Sequence, residues 1–98
     1  MSFRDHMNED LRLVVLRLLS EVDGYEANSA TLQAAVTEFG HRPSRDQVHT
    51  QLAWLQEQGL LKVTAVATVQ IAALTARGLD VAQGRAVVPG VKRPSPGG

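Results

Sequence analysis

Between Pro43 and Gly59 the chain marks both ends of a helix, and the remaining segments have to be arranged around it. Pro43 keeps the chain extended up to a sharp start. The Ser44 hydroxyl can then accept from an orphan backbone N–H one turn ahead. Within SRDQVHTQLAWLQEQGLL, residues 44–61, Val48, Leu52, Leu55 and Gly59 recur on one face at helical spacing. Asp46, Thr50, Ala53 and Glu57 lie opposite, flanked by Arg45, Gln47 and His49. A narrow apolar back with a front of small, hydrogen-bonding side chains suits a helix that enters a DNA major groove. An ordinary amphipathic surface helix carries the same pattern, so the neighbouring segments have to decide.

Residues 1–7 read as a frayed start. Asn8 or Asp10 can cap a first helix running to about Val22. Leu11, Val14, Val15, Leu18, Leu19 and Val22 form its main stripe, while Leu13 and Leu16 lie on the other side among Arg12, Arg17 and Ser20. A helix apolar on more than one face needs a second cover, either from a later segment or from a second subunit. Gly24 ends this helix, Tyr25–Ala27 is a short extended link or edge strand, and Asn28 or Ser29 caps a second helix with Leu32, Ala35, Val36 and Phe39 inward. The link His41-Arg42-Pro43 is so short that the second helix and the Ser44 helix meet steeply, as in a helix-turn-helix. Leu60–Thr64 and Thr68–Leu74 are rich in Val, Thr and Ile and read as a hairpin with its tip at Ala65–Ala67. Thr75 caps a last short helix, Ala76–Ala82, stopped by Gly84.

The expected fold is therefore mostly α with a small β-hairpin, a winged helix-turn-helix in the order α-β-α-α-β-β-α. Residues 1–84 form the domain, and 85–98, RAVVPGVKRPSPGG, form a basic, Pro/Gly-rich flexible tail. A chain of 98 residues has room for one core. That core must be aliphatic, because Phe3, Tyr25, Phe39 and Trp54 are the only aromatics. Cysteine is absent, which removes disulfides and thiolate metal sites, and a cytoplasmic location fits. No apolar run approaches the roughly 20 residues of a membrane span, and the first residues lack the apolar core of a signal peptide. The formal net charge is zero, yet it is unevenly distributed. Met1–Glu38 holds three basic residues against seven acidic, and Phe39–Gly98 holds seven basic against three. The positive half contains the candidate reading helix, a polarity that can orient a protein on a polyanion.

The run Val48–Leu61 resembles the end of the recognition helix and the first wing strand of ArsR-like and MarR-like regulators. The carriers are Leu52, Leu55, Gly59 and Leu60. Ala73–Gly78, A-L-T-A-R-G, resembles the L-T-x-x-G that follows the wing in MarR-like and PadR-like proteins. Over most of its length, including G-R-A-V-V-P-G-V-K-R-P-S-P, the chain is similar to small winged-helix proteins of Mu-like prophages, usually labelled ArsR-like. The resemblance implies a DNA-binding protein of a phage or prophage, located in the bacterial cytoplasm. The chain departs from it by lacking the cysteines of ArsR-type metal sensors and by having an uncharged wing tip.

For DNA binding the candidates are Arg42, Ser44, Arg45, Gln47, His49 and Thr50, with Arg45 suited to guanine and Gln47 to adenine. His41, Lys92 and Arg93 are candidate phosphate contacts. Leu13, Leu16 and Trp54 are candidates for a protein interface. Three histidines without a completing carboxylate pair make no metal site, no cofactor is expected, and no nucleophile stands at a readable spacing from a base, so no enzyme is expected. Two function classes follow. One is a regulator reading double-stranded DNA, expected as a homodimer. The other is a winged-helix module binding phage or host protein in phage assembly or DNA packaging.

Overall fold

The computed structural model describes residues 2–95. Its elements run in the expected order: α1 (Phe3–Glu21), β1 (Glu26–Asn28), α2 (Ser29–Ala35), α3 (Arg45–Glu57), β2 (Leu61–Val66), β3 (Val69–Leu74) and α4 (Ala76–Ala82). Short 3-10 turns at Asp23–Tyr25 and Val36–Phe39 follow α1 and α2. The hairpin is part of a three-stranded antiparallel sheet in the order β1-β3-β2, with Ala27 opposite Ala72 and Val63 opposite Ala72 from the other side.

α1 starts earlier than Asn8 or Asp10. Ser2 is its N-cap: the Asp5 N–H donates to Ser2 Oγ at 3.1 Å, and the Ser2 N–H donates to Asp5 Oδ2 at 3.3 Å. The sequence S-F-R-D is a capping box, and Asn8 and Asp10 lie inside a helix already under way. The frayed start is thus corrected, and Met1 lies outside the described residues. Asn28, not Ser29, caps α2 by accepting from the Thr31 N–H at 2.8 Å. The hairpin turn is tighter than expected, two residues with Val66 opposite Val69 and Ala67 at φ 54. The outer strand β2 has its Val63 N–H bonded at 2.7 Å to Gln56 Oε1 of α3.

The core is aliphatic and draws on every helix. Leu16, Leu19, Leu52, Leu55 and Leu60 are fully enclosed, with Leu32, Val36 and Val81 around them. Leu13 and Leu16 belong to this core, so these two side chains are covered by the chain itself, which corrects their reading as exposed interface residues. Part of the cover comes from the segment expected to be a free tail. Val88 and Val91 are buried in the same cluster, the Lys92 N–H donates to the Glu9 carbonyl at 3.2 Å, and Pro94 returns to Gly84. Arg85–Ser95 is therefore a strap docked on the domain, anchored by apolar side chains that have no periodicity to announce them. Residues 96–98 of the expected tail lie outside the described residues.

Gly78 sets the approach of α4 to the sheet. A methyl group there would meet the Leu60 carbonyl and lie 2.7 Å from Leu74 Cδ1. Thr75 fixes this junction: its hydroxyl accepts from the Gly78 N–H at 3.0 Å and donates to the Gly59 carbonyl at 2.7 Å.

Candidate nucleic-acid interface

Local chemistry and two long-range ties determine how α3 is presented. Its N-cap is the expected Ser44, whose hydroxyl accepts from the Gln47 N–H at 3.1 Å. The Gln47 side chain completes the box, Oε1 accepting from the Ser44 N–H at 2.8 Å. The Pro43 carbonyl accepts from Gln33 Nε2 at 3.1 Å, which ties α2 to the residue just before α3. Val48, Leu52 and Leu55 anchor the back of α3, at 4%, 0% and 0% exposure. Arg42, Ser44, Arg45, Asp46, Gln47 and Thr50 are all exposed. Among the described residues the side chains of Arg42, Arg45, Asp46 and Thr50 have no partner within the chain.

Several candidates have other employment. Ser44 and Gln47 hold the cap, so Gln47 Oε1 is occupied and cannot serve in a bidentate contact without breaking the box. His49 is half-buried and hydrogen-bonded at 3.2 Å to Ser29 Oγ, itself the acceptor for the Gln70 N–H of β3. His41 is 4% exposed, and its Nε2 donates to Asp10 Oδ2 at 2.7 Å. That buried pair corrects the reading of His41 as a phosphate contact. Lys92 Nζ, 3.3 Å from Asp10 Oδ1, shares the same carboxylate. Arg93 is exposed near it, on the rim of a groove beside Leu18 and Phe39. The basic excess of the second half is thus reduced by the pairing of Lys92 with Asp10 of the first half, while Arg85 pairs with Asp80 of its own half at 3.3 Å. The hairpin tip, Ala65–Thr68, is exposed and uncharged.

Trp54 is claimed by the chain itself. The Arg12 guanidinium lies 3.9 Å above its ring, and Gly90, at φ +98, is so close that a methyl group would stand 2.6 Å from the indole. Arg12 also donates from Nε to Gln51 Oε1 at 2.6 Å and from Nη1 to the Gly90 carbonyl at 2.9 Å. One side chain of α1 therefore braces α3 and the strap together. Burial lowers the Arg12 pKa from its ordinary value, against the opposing pull of Glu9 and Asp5, and the guanidinium stays charged. The sequence carries no local signal for Arg12 or Asp10 in these roles, because their partners lie far along the chain.

Beside the front of α3 runs an open groove of about 710 Å³. Asp46, Gln47 and Thr50 of α3 line one side, Phe3, Arg4 and Met7 of α1 the other, and Arg42 lines it too. Among the described residues no cluster of His, Cys, Asp and Glu could hold a metal ion, and no helix is long and apolar enough to cross a membrane.

No family profile matches the chain. It is 51% identical over 63 residues to a protein of Haemophilus influenzae, covering 64% of this chain and 61% of that one. It is 48% identical over 92 residues to protein gp26 of Escherichia phage Mu, covering 94% of this chain and 95% of gp26. The gp26 relative bears out the phage part of the resemblance, and neither name carries an ArsR-like label. The chain belongs to the family of phage Mu gp26.

Proposed function

We propose that the fold is a winged helix-turn-helix and that the chain binds duplex DNA as a transcriptional regulator of a phage or prophage. It would act in the cytoplasm of the bacterial host. The observation that carries this reading is the outward side of α3 and the link before it: Arg42 in the link and Arg45 and Thr50 on the helix are exposed and unpartnered, while Val48, Leu52 and Leu55 clamp the reverse side. Arg45 is the base-reading candidate and Arg42 the phosphate contact. Gln47 serves first as the cap that keeps the helix start rigid. Asp46 stands between them and repels phosphate, so the reading needs that carboxylate to accept from a base amine.

The test is fluorescence anisotropy with short duplexes across a salt series, alongside sedimentation to read the homodimer. The reading expects binding that weakens steeply with salt, and Arg42→Ala reduces the slope of log K against log[salt] by about 0.9. Arg45→Ala weakens binding and narrows the preference among duplexes. The uncharged hairpin tip, with Val66 half exposed, favours the second reading, a protein-binding module in phage assembly or DNA packaging. Absence of salt-dependent binding selects that one.

A further inference from the structure

The first turns of α1 do not contribute to the buried core. The helix begins at Phe3, but its first buried residue is Leu11. Phe3–His6 are exposed and extend the helix about 6 Å past its half-buried part at 1.5 Å per residue. The Ser2–Asp5 box holds them helical. Phe3, Met7 and Leu11 recur at i, i+4 and i+8, a stripe that leaves the core and continues into the groove beside α3. Leu11 is buried, Met7 half-buried, and Phe3 79% exposed. Arg4 is exposed on the same wall and has no partner among the described residues.

Charges in the groove are of both signs. Asp5 is turned onto the Ser2 N–H, and Asp46 projects from the α3 wall. Among the described residues, Arg4 on the α1 wall and Arg42 in the link before α3 are its unpaired cations. An occupant with a repeating negative charge is held by these two and repelled beside Asp46. An apolar face on that occupant meets Phe3. A phosphodiester strand has both, in its phosphates and its deoxyribose edges.

We propose that the projecting turns of α1 are a second wall of the DNA interface: one backbone strand of the duplex lies along the α1–α3 groove, Arg4 binding a phosphate and Phe3 packing on the sugars. This rests on the reading of α3 given above, and the experiment separates the two. Anisotropy titrations across salt are run with the intact chain and with Arg4→Ala, Phe3→Ala, Arg45→Ala and Arg77→Ala. Arg77, exposed beside Gly59 at the other end of α3, controls for loss of one charge anywhere. Arg4→Ala weakens binding several-fold and reduces the salt slope by about 0.9, whereas Arg77→Ala leaves both nearly unchanged. Phe3→Ala weakens binding without altering the slope. All of these side chains are exposed, so circular dichroism should show an intact fold. If Arg4→Ala and Phe3→Ala behave like Arg77→Ala while Arg45→Ala weakens binding, the α1 wall is excluded and α3 stands. If the intact chain shows no salt-dependent binding, the α3 reading fails and the α1 wall with it.

Discussion

Gly90→Ala tests whether the strap is seated by close contact on Trp54. The glycine sits at φ +98, and its missing side chain leaves room for the indole, 2.6 Å from where a Cβ would be. A left-handed conformation costs an L residue about 1–2 kcal/mol. Forcing a methyl group against a packed ring adds about 1–3 kcal/mol. The combined penalty of about 2–5 kcal/mol falls on a segment with few anchors: Val88, Val91, the Arg12 bond to the Gly90 carbonyl and the Lys92 contacts. Such a segment opens locally before the domain unfolds. Global stability then falls by no more than the docking free energy of the strap. Two readouts follow. Trp54, the only tryptophan, loses its cover, so its fluorescence emission moves to longer wavelength. Amide protection at Val91 and Lys92, whose N–H groups bond to the carbonyls of Val88 and Glu9, falls about thirtyfold or more at 1.4 kcal/mol per factor of ten. Val87→Ala, an exposed position in the same segment, leaves both unchanged. Unaltered emission and protection in Gly90→Ala would refute the claim that close approach seats the strap.

Gly78→Ala reverses the usual sign of a glycine-to-alanine change in a helix. The propensity gain of about 1 kcal/mol is outweighed because the methyl group overlaps the Leu60 backbone carbonyl, which cannot rotate away, and also stands 2.7 Å from Leu74 Cδ1. The net loss is about 2 kcal/mol, and thermal unfolding should show a Tm lower by about 8–16 °C. Ala67→Gly relieves the positive φ at the hairpin tip and raises stability by about 0.5–1 kcal/mol, read from the denaturant midpoint. The Ser2 N–H and then the Ser2 side chain hold the Asp5 carboxyl below its ordinary value of 3.8. Because the folded value is the lower one, this cap is fully effective above the ordinary value and is lost as pH falls through the lowered one. Protection of the Ser2 and Asp5 amides, measured against their intrinsic exchange rates at each pH, should fall in that acid window, and Asp5→Asn should abolish that fall.

Short-range chemistry made α3 legible from sequence. Its cap, apolar stripe and glycine stop all act within a few residues, so Ser44, Val48, Leu52, Leu55 and Gly59 predict both the helix and its outward face. The Ser2–Asp5 box was equally local and equally readable, and so was S-x-x-Q at Ser44–Gln47, which assigns Gln47 to capping before any base contact. The docking of the strap was not readable. Val88 and Val91 stand among Pro and Gly without a period, and their seat depends on Arg12, 78 positions from Gly90. His41 beside Pro43 reads as a surface residue, and only Asp10, 31 positions earlier, makes its burial tolerable. Leu13 and Leu16 announced the need for a cover without saying whose, because helical phase records which residues are apolar and not what packs on them.

The bond from Val63 to Gln56 bears on how copies of this chain behave when crowded. An outer strand with bare amides is a template on which another chain can zip. Here a glutamine from the neighbouring helix occupies one such donor in the middle of β2, and β1 on the opposite margin is only three residues long. Neither rim of the sheet offers a long uninterrupted ladder, so concentrated solutions should resist strand-to-strand polymerisation for as long as Gln56 stays seated.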